Sequence, residues 1–270
     1  MKLPGTSLSR DIANLPVPID RLAIIHLGQA GFCFKNSDEK IILIDACLSD
    51  AVEREFGFKR MSPSILEVGE IEIDLYLSTH SHLDHLDTDA LPVAAANSKT
   101  LFIGAPDCGE VYRRYAIPEN RFFLLAEGEE QDFGWVKLRA VYADHGELAP
   151  QAVGLLLDFG GIRIYHVGDS AYAPERIAAS LHTAIDVLIS PINGQFGNMN
   201  ARETIELALR LKPKRVIACH FWMFLEHVAA DGLGDPATFL RHAERLLSET
   251  GIEAVVMAPG EVSLLPVKVL

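Results

Sequence analysis

A short cluster of histidines and aspartates, residues 79–87 with the sequence THSHLDHLD, contains the side chains best suited to catalysis. Alternate side chains of an extended segment share one face, so His80 and His82 are expected to point the same way. Asp84 and His85 follow where the predicted strand gives way to a loop, and they are expected to point toward a second position. Imidazole and carboxylate groups are suitable ligands for Zn, Mn or Fe. The cluster therefore predicts two metal half-sites lying close together.

Three further candidate ligands each lie just beyond the end of a predicted strand. They are His145, Asp169 and His220, which follow the predicted strands 135–142, 162–167 and 215–219. A dinuclear site needs donors from the same edge of the sheets, and clustered histidines and aspartates are costly to bury unless they are paired or coordinated. We therefore expect these three side chains to join the cluster in one metal site. The other histidines are predicted to be structural or exposed: His26, His166, His182, His227 and His242.

The N-terminal part of the chain predicts a meander of antiparallel strands, at 22–26, 31–35 and 40–45. Asp45 closes the last of them after a run of apolar residues, and a charge at the end of a buried strand needs a partner. Two interpretations are open on the sequence alone. Asp45 either orients a metal-binding histidine or caps a turn.

The rest of the chain alternates strands with helices. Further strands are predicted at 71–78, 101–104, 121–125, 152–157, 186–190, 254–257 and 261–265. Helices are predicted at 90–96, 107–115, 174–181, 201–211 and from 235 onward. Asn200 and Glu203 have capping-box spacing, and residues 48–70 are expected to form an irregular insertion. Two β-rich layers interleaved with helices predict a four-layer αββα sandwich of the α+β class, in a single domain spanning residues 1–270.

The composition of the 270 residues limits the partners and the location. A net charge of −13 argues against a long nucleic acid or an anionic membrane, because Lys and Arg clusters bind phosphate groups. Apolar runs are too short to span a bilayer and residues 1–14 lack the apolar region of a secretion signal, so a cytoplasmic location is expected. A small-molecule substrate is predicted, and homo-oligomerisation is left open. The cysteines lack CxxC spacing and are predicted to be buried thiols: Cys33, Cys47, Cys108 and Cys219.

The order of the candidate ligands resembles that of the metallo-β-lactamase-fold hydrolases. The order is HxHxDH at 80–85, then His145, then GDS containing Asp169, then His220. Three segments also resemble the UlaG-like branch, whose namesake is L-ascorbate-6-phosphate lactonase: LGQAGF at 27–32, PINGQFGNMN at 191–200 and HFWMF at 220–224. The resemblance implies one or two divalent ions, Zn or Mn. It implies that the ligands are His80, His82 and His145 for one ion, Asp84, His85 and His220 for the other, and Asp169 as the bridge.

Such a site activates water. A dication lowers the pKa of a bound water from about 15.7 toward about 7, which supplies a metal-bound hydroxide at neutral pH. Asp84 and His220 are the predicted catalytic residues, and Asp84 could serve as a ligand, orient the hydroxide or pass a proton to the leaving oxygen. Predicted substrate contacts are Asn193, Asn198, Asn200, Lys59 and Arg60, although asparagines in such a loop also form turns and Asn200 also suits an N-cap. Trp222 and Phe224 either line the pocket or belong to the core.

These features predict a metal-dependent hydrolase acting on a lactone, either of a sugar or of a sugar phosphate. An alternative on the same fold is a phosphodiesterase acting on a small cyclic nucleotide or another small phosphodiester. A more remote alternative is a di-iron oxygen-reducing protein. Proteins of that class resemble this fold but carry a Glu where His82 stands, so the HxHxDH order disfavours it.

Overall fold

The computed structural model describes residues 8–225 and 234–268, and the chain divides into two compact units. The first unit comprises Met1–Leu124 and Met257–Leu270, and the second comprises Leu125–Val256. Each unit contains one seven-stranded sheet. The sequence predicts that residues 1–270 form a single domain, and this remains a prediction.

Strands and helices both occur in each half of the chain. In chain order, the strands are β1 (Arg21–Gly28), β2 (Gly31–Lys35), β3 (Ile41–Ile44), β4 (Leu75–Ser78), β5 (Leu101–Gly104), β6 (Phe122–Leu124), β7 (Glu130–Asp132), β8 (Lys137–Tyr142), β9 (Val153–Asp158), β10 (Arg163–His166), β11 (Val187–Pro191), β12 (Arg215–Cys219), β13 (Glu253–Val256) and β14 (Val262–Pro266). The helices are α1 (Leu8–Ala13), α2 (Ala51–Phe56), α3 (Ala90–Ala96), α4 (Cys108–Arg114), α5 (Pro174–Leu181), α6 (Ala201–Leu211) and α7 (Pro236–Leu247).

The sheet of the first unit has the strand order β14-β1-β2-β3-β4-β5-β6. Its first pairs, from β14 to β3, are antiparallel, and the pairs from β3 to β6 are parallel. The apolar runs IILI in β3 and LYLS in β4 are buried along their whole length, which is typical of strands covered on both faces. Because β3 and β4 run parallel, the residues that follow them emerge at the same edge of the sheet.

The sheet of the second unit repeats this organisation with the order β13-β12-β11-β10-β9-β8-β7. The pairs from β7 to β10 are antiparallel, and those from β10 to β13 are parallel. An apolar core joins the sheet to its helices and includes Leu188, Ile205, Val216 and Phe239. Because β10, β11 and β12 run parallel, the residues that follow these strands also lie at one edge of the sheet.

Most predicted elements are observed, and α3, α5, α6 and β12 have the predicted bounds. The predicted capping box is also present, since the side chain of Asn200 accepts from the backbone N–H of Glu203, and the Glu203 carboxylate accepts from the N–H of Asn200. Two expectations need correction. The insertion 48–70 contains α2 and a 3-10 turn at Val68–Glu70. The strand expected at 71–78 is shorter and comprises only β4, and the carboxylate of Asp74 directly before it accepts from the N–H of Ile41.

All four cysteines are buried and none forms a disulfide, which confirms the sequence prediction. Across residues 8–225 and 234–268, no helix has both the length and the apolar character needed to cross a membrane. His166 lies within β10, as expected, and His26 is buried with Nδ1 2.8 Å from the carbonyl oxygen of Met257. His227 lies outside the described residues.

Candidate metal centre

Asp45 and Thr79 lie side by side because they follow the parallel strands β3 and β4. The N–H and Oγ1 of Thr79 donate to the two carboxylate oxygens of Asp45, at 2.8 and 2.7 Å. The same carboxylate lies 2.9 Å from Nδ1 of His85, and both side chains are fully buried. Asp45 adopts a left-handed backbone conformation with φ of 47°, which Asp tolerates better than most residues. Asp45 therefore orients the His85 ring, so that Nε2 is the nitrogen directed away from it.

The histidines of the THSHLDHLD segment form a compact cluster in the first unit. His80 and His85 are fully buried, and their ring centroids are 4.1 Å apart. Nε2 of His80 lies 2.9 Å from Nδ1 of His82, whose side chain is half-buried. Asp107 holds the loop in place by accepting from the N–H and Oγ of Ser81, at 3.1 and 2.8 Å. The segment thus presents several imidazole nitrogens within a small volume, although His80 and His82 lie in the loop after β4 and not in an extended segment as expected.

Asp84 is held by a residue that sequence reasoning did not select. Nε2 of Gln29 donates to Oδ2 of Asp84 at 3.0 Å, and Nε2 of His85 lies 3.6 Å from the same oxygen. Gln29 is buried in the turn between β1 and β2 and has a left-handed φ of 52°. The sequence marked the LGQAGF segment only by its resemblance to a known family. Nothing in its residue spacing indicated that Gln29 contacts Asp84, 55 positions away.

The second unit brings together the other three predicted ligands. Oδ1 of Asp169 lies 3.2 Å from Nε2 of His220, and Oδ2 lies 3.7 Å from Nε2 of His145. All three residues are buried, with 3–4% of their surface exposed. The two oxygens of one carboxylate therefore face two different imidazoles.

Backbone contacts between neighbouring strand ends fix this arrangement. The N–H of Asp144 donates to Oγ of Ser170, and the N–H of Ala171 donates to the carbonyl of Asp144, so the segments that carry His145 and Asp169 are tied together. Gly168 supplies a left-handed φ of 68° directly before Asp169, a conformation that glycine adopts without a steric cost. His220 has a φ of 56°, an uncommon value for a residue other than glycine. Such conformations are concentrated at functional sites.

The chemistry of these side chains fits divalent metal ions. Five of the seven predicted ligands are buried, namely His80, His85, His145, Asp169 and His220. Burying a charged group costs several kcal/mol unless it is paired or bound to a cation. A histidine whose ring N–H donates to a carboxylate, as Nδ1–H of His85 does to Asp45, has the orientation and tautomer of a metal ligand.

Comparison with known proteins identifies the family. The family model described as a beta-lactamase superfamily domain matches residues 40–221. The chain belongs to the metallo-β-lactamase superfamily. The predicted fold class, an α+β fold of the metallo-β-lactamase type with two mixed sheets and helices, is thereby confirmed.

Individual proteins match most of the chain. A UPF0173 metal-dependent hydrolase from Thermus thermophilus is 31% identical over 207 residues, which is 73% of this chain and 83% of that protein. A UPF0173 metal-dependent hydrolase from Pelotomaculum thermopropionicum is 27% identical over 252 residues, covering 89% of this chain and 98% of that protein. Among solved structures, the metallo hydrolase Igni18 from Ignicoccus hospitalis superposes with a TM-score of 0.70 at 20% identity, covering 92% of this chain and all of that one.

The predicted substrate contacts of this metallo-β-lactamase-fold protein fall into two groups. Asn193 and Asn198 are buried in the loop between β11 and α6, with 3% and 6% of their surface exposed. In contrast, the side chain of Asn200 caps α6. The guanidinium of Arg60 donates to the carbonyls of Cys47, Ser49 and Ser62 and so fastens its own loop, and Lys59 is exposed.

The aromatic residues after His220 also differ from each other. Phe224 is fully buried and belongs to the core, which is one of the two alternatives that the sequence allowed. Trp222 is 50% exposed and has a left-handed φ of 51°. Its indole is therefore accessible two positions after a predicted ligand.

Proposed function

We propose that this metallo-β-lactamase-superfamily protein is a hydrolase that holds two divalent ions, Zn or Mn, and acts on a lactone. The proposed ligands fall into three sets, which are His80, His82 and His145 for one ion, Asp84, His85 and His220 for the other, and Asp169 between them. Imidazole and carboxylate donors suit both metals.

The proposal rests on the contacts of the Asp169 carboxylate. Its Oδ1 faces His220 and its Oδ2 faces His145. A carboxylate that bridges two cations offers one oxygen to each of them. The two imidazoles assigned to different ions lie on different oxygens, which supports Asp169 as the bridge.

Bound divalent ions supply a water of lowered pKa and a Lewis acid for the bond that is cleaved. In this chain Asp84 is the residue placed to move a proton. Gln29 fixes Oδ2 of Asp84, and the carboxylate remains 18% exposed, so it is accessible from solvent. We assign to Asp84 the transfer of a proton to the leaving oxygen, and to His220 the positioning of Asp169 and an ion.

The choice of a lactone rests on the segments LGQAGF, PINGQFGNMN and HFWMF, which resemble the UlaG-like branch. Two of these segments contribute residues to the described site: Gln29 contacts Asp84, and His220 contacts Asp169. A small phosphodiester is the alternative substrate. Turnover of matched lactones and phosphodiesters distinguishes the two.

The experiment combines metal analysis with a substrate panel. Elemental analysis of the purified protein is expected to find Zn or Mn, and apo-protein reloaded with either metal is expected to hydrolyse lactones. Turnover of phosphodiesters alone would reject the lactonase assignment and retain a metal-dependent hydrolase. Absence of turnover of both classes would reject the proposal.

A bridging role makes Asp169 the most sensitive position. Asp169→Ala is expected to abolish hydrolysis and to reduce the bound metal, because both ions lose a shared ligand. Asp132→Ala is the matched control, since Asp132 is exposed in β7, and it should retain both metal and turnover. Full activity of Asp169→Ala would exclude the proposed site.

A further inference from the structure

Asn193 and Asn198 carry buried amide groups that lack hydrogen-bond partners. Neither Oδ1 nor Nδ2 of either side chain has a partner among the residues that the structure describes. Leaving a buried polar group unpaired costs about 1–3 kcal/mol, so two unpaired amides in one loop are a substantial cost. Such groups are retained where a ligand completes their hydrogen bonds.

The backbone places both asparagines beside predicted metal ligands of the same unit. The N–H of Ile192, which precedes Asn193, donates to the carbonyl of Cys219 at 3.1 Å, directly before His220. At the other end of the loop, the N–H of Met199 donates to the carbonyl of Ser170 at 2.9 Å, directly after Asp169. The loop that carries both asparagines is therefore tied at its two ends to the residues next to His220 and Asp169.

The charge of the surrounding loops limits what those amides can bind. In the second unit, no Lys or Arg occurs in any of the segments that carry the predicted metal ligands or the two asparagines, namely 143–149, 168–173, 191–200 and 219–225. Recognition of a substrate phosphate or carboxylate by a protein ordinarily uses such residues. The composition of these loops favours an uncharged substrate group.

The hydrogen-bonding groups of an amide further restrict which substrate groups can bind there. Each Asn side chain offers two N–H donors and an oxygen with two lone pairs, and each hydroxyl offers one donor and two lone pairs. An amide can therefore bind two neighbouring hydroxyls, donating to one and accepting from the other. A phosphate offers only acceptors at its ionised oxygens and would leave the amide oxygen facing an anion.

Exposed aromatic side chains lie on the loop of the two asparagines and on the loops that follow Asp169 and His220. Tyr172, Phe196 and Trp222 are 37%, 49% and 50% exposed. Tyr172 follows Asp169 by three positions, and Phe196 lies between the two asparagines. Aromatic faces pack against apolar C–H surfaces while polar atoms beside them form hydrogen bonds. Amides and aromatic rings together suit a hydroxylated ring.

We propose that Asn193 and Asn198 form a subsite for an uncharged, hydroxyl-bearing ring, so that the preferred substrate is an unphosphorylated sugar-type lactone. The proposal rests on the lactonase function proposed above and specifies its substrate class. Asn193 and Asn198 bind the ring hydroxyls and thereby place the lactone against the metal-binding side chains.

The first test compares matched substrates on the metal-loaded enzyme. Gluconolactone should have a kcat/KM at least about 10-fold above that of δ-valerolactone, which has the same ring without hydroxyls, and above that of 6-phosphogluconolactone. Asn193→Ala and Asn198→Ala should each lower kcat/KM for gluconolactone about 10-fold and change the value for δ-valerolactone less than about 2-fold. Asn120→Ala, at an exposed asparagine of the first unit, is the matched control.

The second test measures binding without turnover. 1,5-Anhydroglucitol, a hydroxylated cyclic ether that cannot be hydrolysed, should bind the holoprotein in calorimetry, and each Asn→Ala variant should weaken binding about 10-fold. Tetrahydropyran, the ether without hydroxyls, should bind with no difference between the variants and the wild type.

The outcomes separate this inference from the proposed function. Failure to hydrolyse any lactone rejects the function, and the ether measurement then decides the subsite alone. Preference for the phosphorylated lactone, or equal losses on both lactones in the Asn variants, overturns the subsite. Unchanged ether binding in Asn193→Ala and Asn198→Ala means that the amides hold only water, which also overturns it.

Discussion

The carboxylate of Asp45 lies 2.9 Å from Nδ1 of His85, and 40 positions of sequence separate the two residues. Both side chains are fully buried, and Thr79 donates to the same carboxylate through its N–H and Oγ1. A carboxylate in this position fixes the tautomer of the imidazole and raises its basicity as a ligand. Of the two interpretations of Asp45 that the sequence allowed, the structure shows contact with a histidine.

We predict that Asp45→Asn lowers the affinity for metal about 10–100-fold, because a neutral amide no longer polarises the His85 ring. Asn also tolerates the left-handed backbone at this position, so the backbone should be retained. The measurement is the metal content after dialysis against a graded series of chelator concentrations.

Asp87→Asn provides the matched control for that measurement. Asp87 is also buried, but its carboxylate accepts from the N–H groups of Leu48 and Ser49. This variant should lose stability and retain metal. Equal loss of metal in both variants would indicate a general effect of removing a buried carboxylate, contrary to the prediction.

A second prediction concerns Gln29, whose Nε2 donates to Oδ2 of Asp84. Gln29→Asn should lower kcat about 10-fold or more, because the shorter side chain cannot hold the carboxylate and small errors of position are costly in catalysis. Asn adopts left-handed conformations readily, so stability should change little. Gln29→Ala should lower kcat similarly and also lower stability. Unchanged kcat in Gln29→Asn would show that the contact with Asp84 is not used.

The sequence was sufficient where local pattern determines position. His145, Asp169 and His220 come together in one unit because strand ends meet at one edge. His80 and His82 also lie together, but both follow the end of β4 at Ser78, so the alternation of an extended segment does not account for their contact. The helix α6 has its predicted bounds because Asn200 and Glu203 form a local capping box.

The sequence was insufficient where a role depends on contacts distant in the chain. Gln29 donates to Asp84, and Asp107 accepts from Ser81. Each contact joins residues that are far apart in the chain, so no local spacing predicts it. Arg60 was a candidate substrate contact from its charge, yet it donates to backbone carbonyls of its own loop. The short strand β7 escaped prediction because EQD is polar and largely exposed at a sheet edge.

A third prediction uses the unpaired amides to separate function from stability. Asn198→Leu, which keeps the branched skeleton of the side chain, should raise the free energy of unfolding by about 1 kcal/mol, because it removes a buried polar group without a partner among the described residues. Asn200→Leu in the same loop should lower it by about 1 kcal/mol, because that side chain caps α6. Urea unfolding measures both, and a loss of stability in Asn198→Leu would contradict the unpaired state of its amide.

A fourth prediction concerns alkaline pH and the buried thiols. Burial raises the pKa of the Cys33 thiol from its ordinary value of 9.0 to about 12, although Lys35 opposes the shift. Burial likewise raises the pKa of Cys108 well above its ordinary range. Above pH 9 the unfolded chain releases protons that the folded protein keeps, so the free energy of unfolding falls as pH rises.

Comparison with a cysteine variant isolates the contribution of one thiol. Between pH 8 and pH 10 each such thiol should cost about 1.4 kcal/mol of stability, because the unfolded state gains a tenfold ionisation advantage by pH 10. Wild-type protein should therefore lose about 1.4 kcal/mol more than Cys33→Ala over this interval, whatever stability the variant has at pH 8. Urea unfolding at the two pH values tests this. Parallel losses in the two proteins would mean that the Cys33 thiol ionises as readily in the folded state as in the unfolded chain, so that its burial does not hold the proton.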